Sequence, residues 1–187
     1  LDPLSDNELM MKVKAGDIAR LGLLFERYHK SLFGFLLRTS GNAALSEDIV
    51  QNVFEKMLKN RKQFKGYGKF STWMYSIARN EWIDHIKKQR RNPELLIMDE
   101  ERNELTAVSE VSDLDDKNDE LRILKKAFSK LDDDQRQLLA LTKYENMSYR
   151  EAGEIMNLSE GNARIKAYRA IKDLRIIYKR LEKQVLS

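Results

Sequence analysis

Apolar residues recur at intervals of three and four along almost the whole chain, and no Val/Ile/Thr-rich run alternates with polar residues between hairpin turns. That period belongs to amphipathic helices, so the predicted fold is all α. Ser5-Asp6-Asn7-Glu8 opens the first helix, because a serine hydroxyl and a glutamate carboxylate at this spacing each take one of the orphan amides of a helix start; Gly16 supplies the stop. A second helix is predicted from about Asp17 to Arg38, with Ile18, Leu21, Leu24, Phe25, Tyr28, Leu32, Phe35 and Leu36 on one inward stripe. After the turn Thr39-Ser40-Gly41-Asn42 a third runs to about Asn60, turning Leu45, Ile49, Val53, Phe54, Met57 and Leu58 inward. A fourth spans roughly Ser71 to Arg90, and Pro93 keeps it from going much further.

The pattern fades into acidic and polar residues from Asn92 to about Lys117 and resumes at Leu121, with about four more helices to follow. Two small helical domains, 1–91 and 119–187, joined by an acidic linker, 92–118, are therefore expected. Charge divides the chain at similar places. Residues 56–91 carry eleven basic and two acidic side chains, residues 92–120 eleven acidic and two basic, and residues 143–187 ten basic and six acidic, so the formal total of +4 hides two cationic modules around an anionic segment. The chain has no cysteine, which excludes disulfides, thiolate chemistry and Cys-ligated metals. No apolar stretch approaches the roughly 20 residues that span a bilayer, and a cytoplasmic location without membrane insertion is expected.

The stretch from Met147 to Arg175 has helix-turn-helix spacing. Ser148-Tyr149-Arg150-Glu151 is a second capping box for a short helix ending at Asn157, a residue able to take the left-handed conformation of a sharp turn. Leu158 plugs the turn and Ser159 caps the next helix, while Ala152, Gly153 and Ala163 are small where the two helices cross. That helix should present Asn162, Arg164, Lys166 and Arg169 outward and turn Ala163, Ala167, Ile171 and Leu174 inward. Asn and Arg pair bidentately with adenine and guanine edges, and Lys and Arg also bind phosphate. The alternative is a helical hairpin with a solvated basic face.

In the basic block, Phe64, Tyr67, Phe70, Trp73, Tyr75 and Trp82 are interleaved with Lys and Arg. Rings among cations suit unstacked bases and their phosphates, although the same rings can serve as core. Lys65-Gly66-Tyr67-Gly68-Lys69 has no core to fill, so its cations and Tyr67 are candidates for contact. Asn80, Asp84, Lys87, Lys88 and Arg91 follow at spacings that project along one side of the fourth helix.

Three segments in this order resemble the sigma-70 family of bacterial RNA polymerase sigma factors, in its small extracytoplasmic-function (ECF) group. Asp48-Ile49-Val50-Gln51-Asn52-Val53-Phe54 is similar to the family's polymerase-gripping segment. Phe70 to Asn80, followed by Asp84 and Lys87-Lys88, resembles the segment that opens and reads the minus-10 element. Ser148 to Lys166 resembles the region 4 reader of the minus-35 element. Asn157, Gly153 and the run Asn162 to Lys166 depart from the family's usual residues, which bears on the minus-35 sequence read.

The resemblance implies a transcription initiation factor with core RNA polymerase, through its β′ clamp and β subunit, and promoter DNA as partners, and an anti-sigma factor as regulator. Asp48, Gln51 and Phe54 would contact polymerase. Lys62, Lys65, Tyr67, Lys69, Asn80, Asp84, Lys87, Lys88, Arg90 and Arg91 would hold the minus-10 region, and Ser159, Asn162, Arg164, Lys166 and Arg169 the minus-35 region. The rival reading is a stand-alone helix-turn-helix regulator. No catalytic residues, metal site or cofactor are expected, since His29 and His85 are isolated and no Gly-rich phosphate loop is present.

Overall fold

The computed structural model describes residues 4–91 and 119–185. The N-terminal part consists of α1 (Asp6–Ala15), α2 (Arg20–Ser40), α3 (Ala43–Lys59), a 3-10 turn at Arg61–Gln63 and α4 (Phe70–Arg91). The C-terminal part has α5 (Asp119–Ser129), α6 (Asp133–Leu139) running on into a π-helical turn at Ala140–Tyr144, α7 (Tyr149–Met156) and α8 (Glu160–Val185). No strand occurs among the described residues, so the all-α expectation holds. The expected acidic linker lies outside them.

Local chemistry sets most of the helix ends. Ser5 and Glu8 form the expected capping box, and Gly16 closes α1 in the left-handed region at φ 114°. Asn42 caps α3 through its side chain, and Asp132 caps α6 in a box with Gln135. The start of α2 differs from expectation. Residues 17–19 form turns, with the Asp17 carboxylate drawn to Arg20 at 3.0 Å, so the helix begins at Arg20. Ile18 is consequently 48% exposed, and Phe25, also expected inward, is 41% exposed.

The main core joins both parts. Leu9, Met10 and Val13 of α1, Leu32, Phe35 and Leu36 of α2, and Val53 and Met57 of α3 are fully buried around Met74, Tyr75 and Ala78 of α4. The same cluster continues through Leu138, Ala140 and Leu141 into Ala152, Ile155 and Met156 of α7 and Ala163 and Ala167 of α8. Packing of α4 on α7 and of α2 on α6 makes that continuity. At about 1.5–3 kcal/mol for each large apolar side chain removed from water, such a shared cluster is a substantial bond between the two halves. Smaller clusters, Phe128, Leu131, Leu139 and Ala170, then Ile123, Ala127 and Leu181, fasten α5 and α6 to α8.

Candidate functional site

The helix-turn-helix forms as its residues require. Ser148 Oγ accepts from the Glu151 amide at 3.2 Å, and the Glu151 carboxylate accepts from the Ser148 amide at 2.8 Å. Asn157 ends α7 at φ 56°, ψ 44°. The Leu158 amide donates back to Gly153 O at 2.8 Å, which folds the turn onto α7 so closely that a Cβ on Gly153 would lie 2.7 Å from Leu158 O. A glycine is needed there for that reason. Ser159 Oγ accepts from the Asn162 amide at 3.2 Å and so starts α8.

From that start the helix packs through Ala163, Ala167 and Ala170, all fully buried, and leaves Asn162, Arg164, Lys166 and Arg169 exposed, as expected. Two apolar members of the same face were not singled out from the sequence: Ile165 is 52% and Tyr168 73% exposed. Their signal was the stripe itself, since both fall off the alanine positions.

The basic block divides differently from the interleaved pattern of its sequence. Phe64, Phe70, Tyr75 and Trp82 are buried, and Trp73 packs against the core in contact with Phe64 at 5.1 Å between ring centroids. Tyr67 alone of the six aromatics stands free, at 88% exposure, with Gly66 and Gly68 on either side at φ 74° and 75°. Lys62, Lys65 and Lys69 are exposed around it. On α4, Asn80, Asp84, Lys87, Lys88, Arg90 and Arg91 are exposed as well. Asp84 and Lys88 share a cleft of about 340 Å³ with Asp48, Lys56 and Glu81.

On α3, Asp48 and Gln51 are exposed, whereas Phe54 is 7% exposed and meets Phe25 edge-on at 5.0 Å. Phe54 thus backs the surface from beneath. Gln51 lines a groove with Phe25, His29, Lys30, Phe33 and Val50, floored in part by Phe25 stacked on His29 at 4.9 Å.

Cations of these surfaces already hold acidic partners, Lys69 across the two halves and Lys166 within the C-terminal part. Lys69 pairs with Glu151 at 2.7 Å, and Lys166 approaches Asp134 at 3.8 Å, which also pairs with Arg79 of α4 at 3.4 Å. Lys69 donating to its carboxylate, with Ser148 adding a second hydrogen bond, lowers the Glu151 pKa to about 2. Glu145 behaves oppositely. Burial raises its pKa, against the Tyr75 hydroxyl donating at 2.7 Å and Arg38 at 3.9 Å. Among the described residues no His, Asp and Glu cluster could hold a metal, and no helix is long and apolar enough to cross a membrane.

Residues 24–92 match the family model for sigma-70 region 2, and residues 121–174 match that for sigma-70 region 4. The RNA polymerase sigma factor CarQ of Myxococcus xanthus is 32% identical over 163 residues, covering 87% of this chain and 91% of CarQ. The chain belongs to the sigma-70 family of RNA polymerase sigma factors. Other relatives place this sigma factor in the ECF group: the ECF sigma-E factor of Haemophilus influenzae is 29% identical, over 90% of this chain and 93% of its own length, and SigM of Bacillus subtilis is 28% identical, over 84% and 94%. The fold is that of solved sigma factors. CnrH, in complex with the cytosolic domain of CnrY, superimposes with a TM-score of 0.66 at 21% identity, over 93% of this chain and 97% of CnrH. RpoE of Bartonella quintana, in complex with the anti-sigma factor NepR, gives 0.65 at 23% identity, over 84% and 96%. Sigma factors are not catalytic enzymes. As an ECF sigma factor the protein binds core RNA polymerase and directs promoter-specific initiation of transcription.

Proposed function

We propose that residues 1–91 form the unit that grips polymerase and opens the minus-10 element, that residues 119–187 read the minus-35 element, and that 92–118 connects them. Asp48 and Gln51 contact the β′ clamp from α3, with Phe54 supporting them through Phe25. Asn80 and Asp84 hydrogen-bond base edges, Lys87, Lys88, Arg90 and Arg91 hold phosphates, and a base turned out of the stack lodges against the loop Lys62 to Phe70. Unstacking costs a few kcal/mol, about what a ring and a cation in such a loop return. Asn162, Arg164, Lys166 and Arg169, positioned by the Ser159 cap, enter the major groove upstream.

The observation that carries this reading is the exposed polar face of α8, held on an alanine stripe at the second position of a helix-turn-helix. The ion pairs support a mode of engagement: DNA phosphates replace Glu151 at Lys69 and Asp134 at Lys166, so binding exchanges internal anions for external ones. The co-crystal structure of RpoE with the anti-sigma factor NepR supports an anti-sigma protein as regulator here, and core polymerase as partner favours a cytoplasmic location. Run-off transcription with core polymerase over a library of promoter sequences tests the whole reading. Promoter-specific transcripts are expected only when the protein is added, and their minus-35 preference should change with Arg164→Ala. A stand-alone regulator would leave core polymerase without such transcripts.

A further inference from the structure

The loop 62–70 owes its shape to a helix that lies outside the matched family regions. Asn7, in the first turn of α1, donates from Nδ2 to Gly68 O at 2.8 Å and to Gly66 O at 3.4 Å, and its Oδ1 accepts from the Phe70 amide at 2.8 Å. Both ends of one side-chain amide are thus used on a segment some sixty residues away. Lys14, also on α1, donates to Phe64 O at 2.5 Å, and Met11 Sδ lies 3.3 Å from where a Cβ of Gly66 would sit. The two glycines flanking Tyr67 are the residues whose backbone has most freedom to lose, so a loop built on them needs an external constraint to hold one conformation. Asn7 takes the carbonyls on both sides of Tyr67 and the amide where α4 begins.

We infer that α1 is a splint for the base-receiving loop and that Asn7 is a positioning residue for minus-10 recognition. It touches no DNA. It fixes where Tyr67, Lys65 and Lys69 stand before the unstacked base arrives, so the ordering cost is met in folding instead of in binding. This inference rests on the proposed role of the loop, and the experiment separates the two.

Holoenzyme assembled from core polymerase and the full chain is titrated with a forked promoter carrying 2-aminopurine in the single-stranded minus-10 segment, and separately with a minus-35 duplex. Asn7→Ala and Asn7→Asp, the latter isosteric but presenting oxygen where the glycine carbonyls need a donor, should each weaken fork binding about tenfold, on the scale of one or two hydrogen bonds. They should also reduce the 2-aminopurine signal at saturation and hydrogen-exchange protection of amides 66–70. Lys14→Met should do the same more weakly. Affinity for the minus-35 duplex and for core polymerase should stay within twofold. If Tyr67→Ala with Lys65→Ala leaves the fork affinity unchanged, the loop is not the base site and the reading beneath the inference fails. If those loop changes weaken the fork but the Asn7 variants do not, the splint is refuted. Equal losses on fork, duplex and polymerase would also refute it, because they would mark a general loss of structure.

Discussion

Replacing Gly153 with alanine introduces a methyl group at the point where α7 and its own turn approach most closely. The added carbon would sit 2.7 Å from Leu158 O, with Ser159 C and O at 3.5 Å behind it. The obstacle is backbone, so no rotamer change relieves it, and the Leu158 amide bonded to Gly153 O at 2.8 Å ties the two segments together. Forced overpacking of this kind costs up to about 3 kcal/mol. Alanine regains about 1 kcal/mol in helix propensity. The net is a loss of up to about 2 kcal/mol, which for a chain of this length lowers the melting temperature by up to about 4–8 °C. Thermal unfolding followed by circular dichroism at 222 nm reads it. Gly22→Ala is the control, since its Cβ would meet nothing within 4 Å on α2, and it should stabilise by up to about 1 kcal/mol. A Gly153→Ala protein melting at or above the parent temperature would refute the close-approach argument.

Arg164→Ala with Lys166→Ala should weaken minus-35 duplex binding and lower the slope of log affinity against log salt by about 0.9 for each phosphate no longer neutralised, read by fluorescence anisotropy at several salt concentrations. Their partners Glu160 and Asp134 lie in exposed pairs, so the melting temperature should hardly move. Because the Glu151 pKa is lowered in the folded chain, its contribution is complete above its ordinary value of 4.5 and disappears as pH falls through about 2; acid titration of Glu151→Gln should be flatter across that window. Glu145 has the opposite sign: its raised value means that protonation favours the folded chain, so its share of stability grows as pH falls through that value towards 4.5. Glu145→Gln, which can still accept from Tyr75, should remove this dependence in urea melts at a series of pH values.

Features governed by near neighbours in the chain were legible without coordinates. The capping boxes at Ser5 and Ser148, the left-handed Asn157 and the alanine stripe of the recognition helix all depend on residues within one or two turns. What escaped depends on distant partners. Periodicity marks α4 and α7 as helices with apolar faces, but it does not say that Tyr75 and Ala78 of one half share a core with Ala152 and Ile155 of the other. The aromatics of the basic block show the same limit, because cations beside a ring in sequence do not tell which side of the helix the ring takes, and here five of six turned to the interior or packed against it. Asp48 and Gln51 came out exposed and Phe54 did not, since the apolar member of a surface segment is the one the core draws in. Asn7 is the extreme case, for nothing local marks a side chain whose partners lie sixty residues on.

The double allegiance of α7 has an evolutionary consequence. Ala152, Ile155 and Met156 must fit α8, so that the recognition helix stands at the right angle, and must also fit the buried face of α4. Under the proposed roles, a substitution that retunes the upstream reader is therefore filtered by a helix concerned with the downstream one. The two halves cannot be exchanged between relatives like beads on a string: a graft would inherit its DNA preference intact and still need its inner seam recut, so drift at these three positions should be matched by drift at Tyr75 and Ala78.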